Sequence, residues 1–293
     1  MKIFDCFQYF DENMMLDLRL NVLNKNVDYF VIVENLYMHN GKEKKQNFDI
    51  NNFKKFKDKI IYILLDELPD NLDLIDKNGD ANENHKIIEN ALKIEKKQRN
   101  TIEKGLVNAD ENDLIFFSDV DEIPDLTKFK YRNKITIFKQ KMIYYKFNLL
   151  YPNFTWMGTK ACKKKHFHSA EWLRNIKAKK YSWWRIDTLF SKKKYSNINF
   201  VDNGGWHFTN IKSPKDIDFK MRNFAHHLEY EHSGVNSDKL KENIEKKTVF
   251  YNHSADKTNT KKFNHEIKLE KLDLDYLPNY IKENLDSYKE WLD

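Results

Sequence analysis

The residues best suited to chemistry lie together at 113–125, DLIFFSDVDEIPD. Residues 114–117 are wholly apolar, as a strand buried on both faces requires. The run ends abruptly in Ser118, Asp119, Val120, Asp121 and Glu122, and Pro124 stops a simple continuation of the ladder. In extended chain residues i and i+2 share a face, so Asp119 and Asp121 point the same way while Val120 packs inward. Two carboxylates held together repel unless a cation or a shared proton lies between them. Mg²⁺ or Mn²⁺ suits such a pair, because hard cations take oxygen ligands and share them with phosphates. The plainer reading is a solvated acidic turn, but such a turn needs no apolar strand aimed at it. Asp125 reads as a residue that caps or turns the chain.

The elements that position this strand end can be traced upstream. Residues 2–7 and 29–33 read as strands, the second ending in Glu34 and Asn35. Between them Met14, Met15, Leu18, Val22 and Leu23 recur at helical spacing over 12–25. A third core strand is expected at 60–65 and a helix at 84–106 closed by Gly105, followed by the acidic strand. Strand alternating with helix predicts an α/β fold with a mostly parallel central sheet flanked by helices, its ligand at the carboxyl edge. Beyond 125 a strand and aromatic hairpin material are expected at 135–151 and a strand-and-turn at 155–163, then the apolar run 198–202, a turn at 203–205 leading into 206–209, and a helix after Pro214. The expected organisation is one catalytic domain over 1–232, with a nucleotide half (1–125) and an acceptor half (126–232). A C-terminal helical extension (233–293) follows.

Composition narrows the classes. With 33% charged and 40% hydrophobic residues, the 293-residue chain is globular rather than disordered. Two cysteines, Cys6 and Cys162, provide neither a disulfide scaffold nor zinc-ligand spacing. There is no G-x-G-x-x-G and no Walker loop, which argues against dinucleotide and ATP chemistry. Charge interrupts the first residues before any long apolar run. Hence neither signal peptide nor membrane anchor is expected, and a cytoplasmic location is. The net charge of +6 comes with lysine runs in 42–59, 160–165, 177–180, 192–194 and 239–271. These fit peripheral contact with an anionic membrane or attraction of a phosphorylated substrate. No nucleic-acid recognition motif accompanies them. Oligomeric state is not encoded in any pattern found.

Several stretches together resemble glycosyltransferase family 17, the beta-1,4-mannosyl-glycoprotein 4-beta-N-acetylglucosaminyltransferases. They are IFDCFQYFDENMMLDLRLNVL, DYFVIVEN followed by HNGKEK, QRNTIEKGL, FFSDVDEIPD, NGGWHFTN and KMRNFAHHLEYEH, in family order over about 1–232. The resemblance implies a GT-A-like nucleotide-diphospho-sugar transferase fold and a nucleotide-sugar donor, UDP-GlcNAc. It further implies Mn²⁺ or Mg²⁺, a glycan acceptor and inversion at the anomeric carbon. Asp121 is then the first choice as metal ligand, with Asp119 reaching the metal, its waters or the donor ribose. His226 is a third ligand or else a locally bonded helix-end residue. Glu34, Asn35 and His39 fall where base or ribose contacts are expected. Lys44, Arg99 and Asn100 are read as diphosphate-side residues, with Arg99 alternatively pairing an acid at 119–122. Trp206 is the sugar platform, with Trp156, Trp183 and Trp184 behind it. Inversion needs a base within about 2.6–3.2 Å of the attacking hydroxyl; Glu229 and Asp202 rank above His207. Arg174 and Arg185 either bind an anionic acceptor or pair with local acids. Two other classes compete: a metal-dependent phosphoester hydrolase using Asp119 and Asp121, and a non-catalytic nucleotide- or glycan-binding protein.

Overall fold

In the computed structural model, which describes residues 1–76, 81–182, 184–188, 190–254 and 266–293, the four upstream strands pair in parallel. β1 (Ile3–Tyr9), β2 (Tyr29–Asn35), β3 (Ile60–Leu65) and β4 (Leu114–Asp119) stand in the order β3-β2-β1-β4. Crossovers through α1 (Asn13–Leu23) and α2 (Ala81–Thr101) make parallel pairing possible, because a parallel neighbour needs a long return path. Phe30, Val31, Ile32 and Val33 on β2 and Ile115 and Phe116 on β4 are fully buried, as strands covered on both faces require. Register places Gln8 beside Asp119 and Tyr9 beside Glu34, so the ends of β1, β2 and β4 share one edge. The helix expected to 106 gives way at Ile102 to a 3-10 turn. Gly105 does not cap it with a left-handed turn. A Cβ there would lie 2.4 Å from Val31, so its role is close packing on β2.

Past β4 the sheet is mixed, which corrects the expectation of a mostly parallel one. β5 (Glu122–Pro124) is followed by β6 (Ile135–Tyr144) and β7 (Leu149–Lys163). Only four residues join β6 to β7, too few for a crossover, so the two pair antiparallel and β7 also pairs antiparallel with β4. β8 (Ile198–Val201) and β9 (Gly205–Thr209) then run in succession along the other side of β6, both parallel to it. β9 pairs antiparallel with β5, so the sheet curls and the residues just after the acidic strand end also form its far edge. Gly205 is required for that closure: its φ is +124°, and a Cβ would sit 2.2 Å from the Ile123 carbonyl.

Helices α3 (Ala170–Asn175), α4 (Pro214–Asn223), α5 (His227–His232) and α6 (Ser237–Lys246) flank this half. The stretch expected to be a helical extension contains α6 together with short strands β10 (Thr248–Val249), β11 (Ile267–Lys268) and β12 (Glu270–Lys271), 3-10 turns and α7 (Asn279–Glu283). β12 adds to the edge of β7, and Leu272, Leu277, Ile281 and Tyr288 enter the same apolar core as Leu16, Phe30 and Phe116. Among the described residues no helix is long and apolar enough to cross a membrane.

Candidate functional site

The acidic strand end is built around an arginine. Arg19 lies on the face of α1 that also buries Leu16, Leu20 and Leu23, and it is fully buried. Its guanidinium forms a two-bond fork on Asp5 of β1 (2.8 and 2.7 Å) and stacks 4.5 Å over the Phe7 ring. The remaining N–H groups donate to the carbonyls of Asp119 (2.9 Å), Val120 (3.2 Å) and Glu122 (2.9 Å) and to Ser118 Oγ (2.7 Å). One side chain thereby fixes the backbone of the whole turn from below.

A second arginine fixes the acids from the side. Arg174, on α3, donates to Asp119 Oδ2 at 2.7 Å and to both Glu122 oxygens at 2.9 Å. Glu122 is fully buried and also accepts from Trp156 Nε1 (2.6 Å). Burial alone would raise the Asp119 carboxyl, but the charges of Arg174 and Arg99 outweigh it and hold it below the usual range. Lys160, on β7, supports α3 by donating to the carbonyls of Arg174 (2.5 Å) and Ile176 (2.7 Å). Burial, then the neighbouring Arg174 charge, pushes its ammonium down to about 7.

Asp121 is placed differently. Its backbone carbonyl accepts from the Phe208 amide (2.8 Å), which ties the turn to β9. Its carboxylate is largely buried and opens on a cavity of about 410 Å³ shared with Asp11, Glu12, Lys212, Asp216 and Lys220. Among the described residues no hydrogen bond reaches that carboxylate; its nearest ionisable neighbours are His207 Nε2 (3.6 Å) and Lys220 Nζ (3.7 Å). Lys220, on α4, reaches Glu12 Oε1 at 3.3 Å, and Lys212 pairs with Asp11. Burial raises Glu12, but Lys220, Lys212 and the amides of Asp11 and Phe10 (3.1 Å each) outweigh it and bring the carboxyl to about 2. Asp11 goes the other way: burial, then the charge of Glu12, raises it.

The other residues singled out from the sequence divide between this cluster and separate places. His207 turns Nε2 toward Asp121 and Thr209 Oγ1 (3.1 Å) and packs 4.7 Å from Trp156, while its buried Nδ1 has no hydrogen-bond partner among the described residues. Glu34 is fully buried and spends both oxygens inside the chain, on Lys44, the amides of Asn47 (2.7 Å) and Phe48 (3.0 Å), and Tyr62 (2.9 Å). Asn35 accepts from the Tyr37 amide (3.0 Å). His39 bonds Gln98 (3.1 Å), and burial lowers its pKa. Arg99 joins Gln8, Glu95 and Glu171 instead of the acids at 119–122, and Asn100 accepts from the Glu171 amide. Trp206 donates to the Tyr276 carbonyl (2.6 Å) against the C-terminal segment. Asp202 is exposed and paired with Lys139 (2.7 Å). His226 and Glu229 face each other across the first turn of α5 at 3.5 Å. Trp184 is exposed, and Trp183 lies outside the described residues.

Among the described residues no three His, Cys, Asp or Glu side chains are grouped to hold a metal, so Asp119, Asp121 and His226 are not gathered as one ligand set. The chemistry of the donors still suits a hard cation: Asp121 offers an unbonded carboxylate at a cavity, and Asp119, two residues earlier, is kept ionised. Arg19, Glu12, Lys212 and Lys220 were not singled out from the sequence. Arg19 has a readable signal, a charge among the buried leucines of an apolar helix face, whereas Lys220 sits in a polar-looking helix and has none. Arg174 was expected to meet either an acceptor or local acids, and it meets acids. No curated protein shows significant similarity to this chain. The sequence profile of glycosyltransferase family 17 matches residues 1–292, and with the acidic strand end and its two arginines in place across that span, the chain belongs to this family.

Proposed function

We propose that the protein is an inverting, divalent-cation-dependent glycosyltransferase on a GT-A-like frame, moving N-acetylglucosamine from UDP-GlcNAc to a hydroxyl of a glycan acceptor. The observation that carries this reading is the Asp121 carboxylate, largely buried, unbonded among the described residues and open to a cavity, two residues after the clamped Asp119. Asp121 and Asp119 would hold the cation, which when bound supplies Lewis-acid stabilisation of the departing diphosphate. Arg174 keeps Asp119 ionised and Arg19 keeps the turn from relaxing, so the carboxylates stay ready for the donor. Lys212 and Lys220 bring positive charge to the cavity wall where an anionic leaving group would accumulate charge.

In an inverting displacement the acceptor oxygen bonds to the anomeric carbon as the bond to the diphosphate oxygen breaks, and the hydroxyl proton must go to a base. Asp11 suits that role best. It lines the same cavity as Asp121, and its raised carboxyl makes it the stronger proton acceptor of the Asp11–Glu12 pair. Asp202 and Glu229 line no part of that cavity, and the nitrogens of His207 are turned to Asp121, Thr209 and the interior.

The test is release of nucleoside diphosphate by the full chain from UDP-GlcNAc, UDP-galactose and GDP-mannose, after chelation and after adding back Mn²⁺. Turnover restored by metal with one donor is expected, and Asp11→Asn should lower kcat by about 10²–10⁴-fold with donor affinity retained. Phosphate release from a simple phosphoester without nucleotide binding would overturn the reading in favour of a hydrolase.

A further inference from the structure

After α3 the chain makes a closed loop over residues 177–194. Its neck is pinned where the Lys177 amide donates to the Lys193 carbonyl (2.8 Å) and Trp172 Nε1 donates to the Lys192 carbonyl (2.8 Å). Within the loop the Thr188 amide bonds the Arg185 carbonyl (3.0 Å), so its tip is a formed turn. Trp184, Ile186 and Phe190 are 65%, 69% and 84% exposed. Three large apolar side chains within seven residues, exposed within and on either side of a formed turn, mark a contact surface more than stray exposure does.

The charge of the loop says what it contacts. Residues 177–194 hold six lysines, one arginine and one aspartate, a net of +6 that equals the net charge of the whole chain, so all other residues sum to zero. Asp187 pairs with Arg185 (2.7 Å) and Lys194 (2.9 Å). Lys177, Lys179, Lys180, Lys192 and Lys193 have no carboxylate within salt-bridge distance among the described residues. On α6, by contrast, Lys239 and Lys246 both pair with Glu242. Two copies of so basic a loop repel each other, which argues against self-association through it.

We propose that this loop docks the protein on an anionic lipid bilayer, with Trp184, Ile186 and Phe190 entering the interfacial region and the flanking lysines meeting acidic headgroups. Aromatic residues favour the membrane interface, and each basic residue near an anionic surface adds about fivefold to the partition coefficient. This assigns a place to the membrane contact expected from the lysine runs, and it does not depend on which sugar is transferred.

The experiment is co-sedimentation of the full chain with vesicles of phosphatidylcholine alone or with about 30 mol% phosphatidylserine. It is run at low salt and at ~0.15 M salt, with a single-stranded oligonucleotide as competitor. Binding to the anionic vesicles only, weakened by salt, is expected. The triple variants K192Q/K193Q/K194Q and W184S/I186S/F190S should each lose at least about tenfold in binding, with thermal midpoints close to that of the parent as the control for folding. Variants that bind like the parent, equal binding to neutral vesicles, or preference for the oligonucleotide would each overturn the proposal.

Discussion

Replacing Arg19 with Met separates its two jobs, holding Asp5 and holding the turn. Arg19 and Asp5 are 0% and 1% exposed, so Arg19→Met leaves a carboxylate buried without its partner. That alone costs about 3–5 kcal/mol. The carbonyls of Asp119, Val120 and Glu122 and the Ser118 hydroxyl lose donors as well, each worth about 1–3 kcal/mol where water cannot replace it. These contributions overlap, and a loss of at least ~4 kcal/mol is expected against a total of about 5–15 kcal/mol. Removing the charge pair together, in Asp5→Leu/Arg19→Met, relieves the unpaired carboxylate. The double variant should therefore be more stable than Arg19→Met, with a coupling energy of about 2 kcal/mol or more. It should still transfer sugar poorly, because nothing braces the turn. Guanidinium unfolding gives the stabilities and diphosphate release the activity. A single variant within 1 kcal/mol of the parent, a double variant equal to the sum of the singles, or full transfer by the double variant would refute the reasoning (the threshold being about the worth of one ordinary hydrogen bond).

Arg174→Gln should cost about 3 kcal/mol by stranding the buried Glu122, measured by urea unfolding. It should also move acid unfolding to higher pH. With Arg174 present the folded Asp119 pKa is depressed, so its stabilisation is in force above the unfolded value near 3.9 and lost only as pH falls through the lower folded value. His253 gives a second pH dependence. Burial, then the His207 charge, holds it down to about 3 in its aromatic pocket beside Tyr144 and Tyr151. The unfolded chain takes up that proton below about 6.5 and the folded one does not until near 3, so stability falls with pH across this window, by about 2 kcal/mol at pH 5. Unfolding midpoints at pH 7 and pH 5 measure it, and His253→Gln should flatten the difference.

What could be read from the sequence followed from local pattern. The apolar run before Asp119 specified a buried strand ending in acids, and the alternation of strand and helix up to residue 119 specified parallel pairing. The second half failed to follow because its pairings are set by distant partners: nothing in residues 135–163 announces that β8 and β9 share one side of β6. The short connection at 145–148 did carry the signal for an antiparallel hairpin. The site divides the same way. The acids were recognisable from their types and spacing, whereas their counter-ion Arg174 lies 52 and 55 positions away from Glu122 and Asp119, and Arg19, which holds the Glu122 carbonyl, lies 103 away. Glu34 shows the reverse difficulty. A carboxylate at a strand end looks available until the 44–48 segment folds over it and takes both oxygens.

The central claim is that Asp121 holds a cation for a sugar nucleotide, and calorimetric titration of UDP with and without Mn²⁺ into the parent and Asp121→Asn measures it. Because no hydrogen bond among the described residues reaches that carboxylate, the amide should leave the unfolding midpoint nearly unchanged. The account predicts UDP binding that requires Mn²⁺ in the parent and is weakened at least about tenfold in Asp121→Asn. Equal, metal-dependent UDP affinity in the two proteins would contradict it.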